Sequence, residues 1–300
     1  MEKRMKDFKS GFAALVGRPN VGKSTLLNKA VGQKVTITSD KPQTTRNQLR
    51  GILTSPNYQI VWVDTPGLHR PLHQLGSKMV KTAQGALSQV DVVLWVLDAA
   101  AGFKPADRKV AEILSQIKQP LFVVWNKIDL LAGDQEALVV PEQIHPRKVL
   151  RVSAVSGAGV PDLIDSLVAE LPNGPVYYPP EMITDHPERF LVAEYIREQV
   201  LNQTEEEIPH SVAVQIDEFA KRPNGQVYIE AVIYVERDSQ KGIIIGAKGS
   251  RLKAIGAGAR VEIEALLEAP VYLNLWVKVR KNWRNNDQTL QEFGYGKVGE

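Results

Sequence analysis

The sequence predicts an α/β unit, a mostly parallel sheet with helices on both faces, followed by a smaller α+β unit. Three observations carry that reading. Residues 11–170 alternate short apolar runs with amphipathic stretches, as buried parallel strands joined by helical crossovers do. Leu171-Pro172-Asn173-Gly174-Pro175-Val176-Tyr177-Tyr178-Pro179-Pro180 then breaks the pattern with four prolines in ten residues. Proline lacks an N–H and disfavours helix in the residue before it, so this stretch reads as an extended linker. Beyond it, apolar residues alternate with period two before helical spacing returns. The length of 300 residues also suits two domains of roughly 100–200 residues each. The expected boundaries are 8–171 for the first domain, 172–188 for the linker and 189–300 for the second domain with its tail.

In chain order, 12–16, 59–63, 92–97, 121–125 and 149–152 read as buried strands. The densest run, Val92-Val93-Leu94-Trp95-Val96-Leu97, is bounded by Asp91 and Asp98. It is far short of the ~18 apolar residues of a membrane span. Residues 25–30 open a helix after the first strand. Leu72, Leu75, Met79, Ala83, Ala86 and Val90 recur at steps of three and four, which is helical spacing. In the second unit, 190–201 reads as a helix. Residues 211–217 and 226–235 form a hairpin around the turn Arg222-Pro223-Asn224-Gly225. Residues 243–267 combine a glycine-rich turn with a helix, and 271–279 return as a strand. The order is helix, strand, strand, helix, helix, strand.

Composition removes several chemistries. With no cysteine there is no disulfide, thiolate zinc site, iron–sulfur cluster or cysteine nucleophile, and the chain suits a reducing compartment. The five histidines are scattered; His69 and His73 stand four apart with no acidic ligand near them and read as loop or surface. The start of the chain has no apolar stretch after its charges and is not a secretory signal.

Gly17-Arg18-Pro19-Asn20-Val21-Gly22-Lys23-Ser24 fits G-x-x-x-x-G-K-S between a strand and a helix that begins near Thr25. Such a loop wraps phosphate with backbone N–H groups, and the helix N-terminus adds positive potential. Lys23 is placed to bridge the β- and γ-phosphates, and the Ser24 hydroxyl to ligate Mg²⁺. Asp64-Thr65-Pro66-Gly67 follows the second strand; its carboxylate can reach Mg²⁺ and the Gly67 amide can sense a γ-phosphate. Asn126-Lys127-Ile128-Asp129 follows the fourth. An Asp129 carboxylate can accept from guanine N1–H and the 2-amino group, a donor pair that adenine lacks. Lys127 would lie along the base plane, and Asn126 would tie this loop to the first one. Ser153-Ala154-Val155 follows the last strand, where backbone can meet guanine O6. All four stand at strand C-terminal ends, where ligands bind open α/β sheets. Asp107, Asp134 and His145 have no such context and read as surface loop or helix residues.

Pro42-Gln43-Thr44-Thr45-Arg46 occupies the place of a switch loop, and either Thr44 or Thr45 could ligate Mg²⁺ when a γ-phosphate is present. Leu68 stands where Ras-like enzymes carry a Gln that orients the attacking water. No side chain is evident for that task, so intrinsic hydrolysis is expected to be slow.

In the second unit, Gly246-Ala247-Lys248-Gly249 is a G-x-x-G turn between an apolar run and a helix. Two glycines let backbone approach a sugar-phosphate chain, which is the K-homology clamp for about four nucleotides of single strand. The net charge of +3 conceals segregation. Residues 241–260 carry Lys241, Lys248, Arg251, Lys253 and Arg260 with no acid, and 278–284 carry Lys278, Arg280, Lys281 and Arg284 with none. Residues 181–218 carry ten acids and two arginines. Trp283, Phe293 and Tyr295 flank the last basic run and are available for stacking on bases or for packing against the domain.

The nucleotide motifs resemble a translation-factor-class GTPase domain. Joined to a type II K-homology domain, they resemble the Era family over nearly the whole chain. That resemblance implies a cytoplasmic bacterial GTPase using GTP, GDP and Mg²⁺. It implies binding near the 3′ end of 16S ribosomal RNA and a part in maturation of the 30S subunit. It also implies partial association with the inner membrane face, and a monomer is expected. In related GTPases with a hydrophobic residue at the Leu68 position, a P-loop Asn helps bind K⁺, and Asn20 stands at that place. Two alternatives are an RNA-binding scaffold with a non-hydrolysing nucleotide site and a GTPase of the tRNA-modification or tandem kind. Intact Lys23, Ser24 and Asp129 oppose the first. The second kinds lack this C-terminal unit, and the tRNA-modification kind uses a C-terminal cysteine.

Overall fold

A computed structural model describes residues 7–67, 73–131 and 140–295. Contacts divide the chain into two compact units. The first draws on Met1–Thr36, Thr45–Pro71 and Ser77–Asp185; the second on Ile37–Thr44, Leu72–Gly76 and His186–Glu300.

In the first unit the described strands are β1 (Lys9–Val16), β2 (Leu49–Ser55), β3 (Tyr58–Asp64), β4 (Val92–Asp98), β5 (Leu121–Asn126) and β6 (Lys148–Arg151). The helices are α1 (Lys23–Val31), α2 (Gln74–Leu87), α3 (Pro105–Leu114) and α4 (Val160–Glu170). The strands lie in the order β2-β3-β1-β4-β5-β6. All pairings are parallel except β2 with β3. The central strand β4 shows why its sequence is continuously apolar. Leu94 and Val96 enter one core with Leu26, Leu27, Leu163 and Leu167. Val93, Trp95 and Leu97 enter another with Ala83, Ala86, Val110 and Leu114. Period two thus sends alternate residues to opposite helical layers.

Three features depart from the expected pattern. Strand β6, expected to be buried, is an edge strand with Lys148, Val149 and Arg151 exposed, because no further strand among the described residues covers that side. Strand β2 was not anticipated. It pairs antiparallel to β3 across the short turn at Pro56 and Asn57. The proline-rich stretch, read as a linker, is packed on this unit. The buried Gln59 side chain accepts from the Tyr177 and Tyr178 amides (2.8 and 3.0 Å) and donates to the Tyr178 carbonyl and the Thr54 hydroxyl. Ile52 N–H donates to the Ile183 carbonyl, and Arg50 pairs with Asp185 at 2.7 Å. Proline keeps the chain extended, and the β2 edge uses the backbone groups that such a chain offers.

The second unit contains α5 (Glu188–Gln203), α6 (Ile208–Ser211), β7 (Ala213–Lys221), β8 (Val227–Val235), α7 (Asp238–Ile245), α8 (Ser250–Leu267), β9 (Val271–Val279) and α9 (Asp287–Glu292). Strand β7 runs antiparallel to β8, and β9 runs parallel to β8. Its core joins Val192, Ile196 and Val200 of α5, Ile255, Ala259 and Ile263 of α8, and Ile229, Ala231 and Ile233 of β8. The aromatic residues near the chain's end pack rather than stand free. Trp283 is fully buried, its indole N–H donates to the Ser211 carbonyl, and its ring meets Phe293 and Tyr295. None of the described helices is long and apolar enough to cross a membrane.

Candidate functional site

The loop between β1 and α1 lies at the C-terminal edge of the sheet. Gly22 has φ 93°, and a Cβ there would lie 2.3 Å from Asn126 Nδ2, so the tight approach of the two loops requires glycine. Asn126, buried at the end of β5, donates to the Val21 carbonyl (2.8 Å) and accepts from the Ala154 amide (2.9 Å). One side chain thereby joins the first loop, the loop after β5 and the loop after β6. Lys127 donates to the Asn20 carbonyl (2.8 Å) and to Asp98 (2.7 Å). Asp129 is exposed on the turn Ile128–Leu130. Ser153 is buried, with its hydroxyl accepting from the Ser156 amide, and Val155 is exposed.

Lys23 opens α1 and is buried, donating to the Gly17 and Arg18 carbonyls at 3.2 and 3.0 Å. Thr25 follows in the first turn of α1. Burial pushes the Lys23 ammonium down to about 8, against the pull of the Asp64 charge. Burial likewise pushes the Asp64 carboxyl above its ordinary value, opposed by Lys23 and by hydrogen bonds from Ser24 and Thr45. Such desolvated opposite charges are what a site built for further ions shows.

Three oxygens converge beside them. Ser24 Oγ donates to Asp64 Oδ2 at 2.6 Å, Thr45 Oγ1 donates to the same atom at 3.2 Å, and the two hydroxyls are 3.0 Å apart. Asp64 Oδ1 is buried with no hydrogen-bond partner among the described residues. A set of hard oxygens with an unsatisfied carboxylate atom fits Mg²⁺. Thr44, the other switch candidate, is not part of this group. Its hydroxyl donates to the Lys41 carbonyl (2.7 Å) and its own carbonyl accepts from Arg197, all three residues belonging to the second unit. Thr65 donates to the Leu15 carbonyl (2.7 Å), which anchors the Asp64–Gly67 turn to β1. A Cβ at Gly67 would come within 3.1 Å of Pro19, so this turn lies against the first loop. Pro66 is buried between them in sequence, while Leu68, His69 and Asp134 lie outside the described residues.

Asp107 corrects the surface reading. It is the third residue of α3 and is wholly buried. Its Oδ2 accepts from the Lys104 amide (2.8 Å) and faces Arg18 Nε at 3.3 Å. Arg18 also approaches Asp98 at 3.9 Å. Burial alone would raise the Asp98 carboxyl, but hydrogen bonds from Lys127 and the Ala101 amide and the charges of Lys127 and Arg18 hold it below the usual range. Only a capping pattern, Lys104-Pro105-Ala106-Asp107, hinted at Asp107 from sequence. His145 is exposed, as read, and His73 meets Arg284 at 3.2 Å. No group of three His, Cys, Asp or Glu able to hold a metal occurs among the described residues.

In the second unit the turn Gly246–Gly249 joins α7 to α8. Gly246 has φ 73°, and a Cβ there would lie 2.8 Å from Arg251 Cβ. Ala247 and Lys248 are exposed on the turn. Arg251 donates to the Ile243 carbonyl (2.6 Å) and braces the end of α7. An open groove of about 430 Å³ runs from Gly249 along α8 to β9, lined by Leu252, Lys253, Gly256, Arg260, Leu273 and Leu275. Gly256 and its neighbour Ala257 keep the helix surface low there. Their small size in mid-helix was the signal that sequence reading passed over. Lys241 is half-buried on α7. The second basic run does not join this groove. Lys278 alternates with the groove residues Leu273 and Leu275 on β9 and shares the opposite face with Tyr272 and Trp276. Arg280 pairs with Glu292 at 2.7 Å and covers the Phe293 ring. Lys281 is exposed beyond the strand.

Comparison with known proteins agrees with both units. The family model described as a 50S ribosome-binding GTPase matches residues 12–127, and the KH domain model matches residues 207–284. GTPase Era of Carboxydothermus hydrogenoformans is 51% identical over 293 residues, covering 96% of this chain and 98% of that protein. A crystal structure of Era with MgGDPNP and nucleotides 1506–1542 of 16S ribosomal RNA superposes with a TM-score of 0.92 at 41% identity, over 96% of this chain and 99% of that one. Aquifex aeolicus Era bound to GDP·AlF4⁻, carrying one substitution, superposes at 0.91 with the same identity and the same coverage of both chains. With half its residues shared across nearly the whole length, and both family models met in order, the chain belongs to the Era family of GTPases.

Proposed function

We propose that the first unit binds and hydrolyses GTP at the edge formed by Gly17–Ser24, Asp64–Gly67, Asn126–Asp129 and Ser153–Val155. We further propose that the groove of the second unit holds single-stranded RNA near the 3′ end of 16S ribosomal RNA during 30S maturation. The observation that carries the first part is the convergence of Ser24, Thr45 and Asp64 beside the buried Lys23. Mg²⁺, when bound, neutralises charge on the β- and γ-phosphates. The chain's own residues do the rest. Backbone N–H groups of the loop and the α1 N-terminus hold phosphate. Lys23 supplies a cation to the γ-phosphate side, Thr45 completes the metal-facing oxygens, and Asp129 selects guanine. Water is the nucleophile. Measured GTP turnover that Lys23→Ala abolishes supports this assignment; turnover unchanged by that substitution rejects it.

The relative solved with 16S nucleotides 1506–1542 supports the RNA part. Crosslinking of the GTP-bound protein in cells tests it, and crosslinks absent from the 3′ region of small-subunit RNA would reject the assembly role. Potassium stimulation rests on Asn20, which is exposed at φ 65° in the loop. Equal hydrolysis rates in KCl and NaCl would dismiss it. A monomeric, cytoplasmic protein with peripheral attachment at the inner membrane face follows from the family resemblance, and flotation with anionic vesicles is its test.

A further inference from the structure

The first unit contains a chain of buried and half-buried charges that links two residues of the nucleotide-edge motifs, Arg18 and Lys127, to two outside them, Asp98 and Asp107. Lys127 Nζ, Asp98, the Arg18 guanidinium and Asp107 follow one another at 2.7, 3.9 and 3.3 Å. The two ends belong to different elements: Lys127 follows β5, and Asp107 lies in the first turn of α3. We propose that Asp107 is a positioning residue of the guanine-nucleotide site, acting through Arg18 and Asp98 on the phosphate loop and on Lys127. The inference rests on the nucleotide reading above.

The Asp107 carboxylate is wholly buried, and its Oδ1 has no hydrogen-bond partner among the described residues. Arg18 Nε and Nη2 are likewise buried without one. Oδ2 serves both the Lys104 N–H cap and the Arg18 guanidinium, and a cap does not require a desolvated guanidinium at 3.3 Å from its carboxylate. An unpaired buried charge is costly, so Arg18 and Asp107 hold each other in place. Arg18 is itself a loop residue, and its carbonyl accepts from Lys23 (3.0 Å). Asp98 Oδ2 is approached both by Lys127 and, more distantly, by Arg18. Asp107 therefore fixes how much of Asp98 remains for Lys127. Without the Asp107 charge, Arg18 turns to Asp98 and competes with Lys127, whose other bond is to the Asn20 carbonyl. Loop and base-side lysine then loosen together.

Asp107→Asn is a suitable probe, because its amide oxygen still accepts from Lys104 N–H and only the charge is lost. The measurement is dissociation of mant-GDP and of a mant-labelled, non-hydrolysable GTP analogue from the full chain. Dissociation is expected to speed up about tenfold, equally for both, because the network touches the loop backbone and the base side rather than the γ-phosphate. In an Asp98→Asn background the same change should add less than about twofold, since the coupling runs through that carboxylate. Should the single variant fail to fold, Arg18→Gln with Asp107→Asn removes both charges together; Lys127 then keeps Asp98 but the loop loses its brace, and nucleotide is expected to leave several-fold faster, less than in the single variant. Dissociation within about twofold of the parent, in whichever of these folds, overturns the proposal. A lowered melting midpoint with parent-like dissociation would also overturn it, because that is the outcome of a purely structural pair. A parent chain that holds no mant-GDP would sink the nucleotide reading, and this proposal with it.

Discussion

Two adjacent threonines in one polar segment have different environments. Thr45 Oγ1 lies 3.0 Å from Ser24 Oγ and 3.2 Å from Asp64 Oδ2, whereas Thr44 Oγ1 is spent on the Lys41 carbonyl. Thr45→Ala should therefore lower GTP hydrolysis about tenfold or more and weaken its Mg²⁺ dependence, while Thr44→Ala leaves the rate within about twofold. Single-turnover assays across a Mg²⁺ series check this, and equal losses would return Thr44 to the site. Sequence alone left this pair undecided, because consecutive side chains diverge according to a backbone path that no local pattern encodes. Asp107 was misread for the same reason: its partner Arg18 is remote in sequence. Asp98 allows a pH test. Its folded pKa is depressed, so its stabilisation is complete above the unfolded value of about 3.9 and is lost as pH falls through the folded value. Asp98→Asn should flatten the decline of the melting midpoint below about pH 4. A decline parallel to the parent's would show that Asp98 does not contribute there.

At the scale of elements, the strands most legible in sequence were those buried on both faces. Strand β4 is apolar from Val92 to Leu97 because two helical layers cover it. Strand β2 was missed because it is an edge strand with Arg50 and Gly51 near its start and Thr54 and Ser55 at its end, so neither alternation nor a continuous run marks it. The proline-rich stretch was legible as extended chain, but not as chain bound to that edge, since its partner is the polar side chain of Gln59. The Gln59 amide oxygen accepts two hydrogen bonds and its nitrogen donates two. Gln59→Leu keeps the size and removes all four bonds, leaving the Tyr177 and Tyr178 amides unpaired. The first unit should lose about 2–4 kcal/mol of stability, measured by urea unfolding. Limited proteolysis should then cut within residues 172–185 in the variant and not in the parent. Resistance equal to the parent's would mean that the remaining bonds of this stretch suffice.

At the scale of the whole molecule, the small net charge is a cancellation between segments. The acids of 181–218 offset two basic runs, and the fold gives those runs different surroundings. Lys253 and Arg260 line the groove beside the Gly246–Gly249 turn. Lys278 lies on the other face of β9, and Arg280 is neutralised by Glu292. Sequence showed both runs as acid-free but could not show that strand alternation and a remote glutamate separate them. RNA affinity should therefore depend on the first run and little on the second. Lys253→Ala should weaken binding of a single-stranded RNA and reduce the slope of log affinity against log salt by about 0.7, the contribution of one phosphate contact to a single strand. Lys278→Ala should leave both affinity and slope within error of the parent. The pair is best measured as a salt series on one RNA by fluorescence anisotropy, because a lost phosphate contact changes the slope whereas a local packing defect shifts affinity at all salt concentrations alike. A slope lowered equally by the two substitutions would place RNA on both faces of β9 and refute the assignment of the groove as the single RNA path.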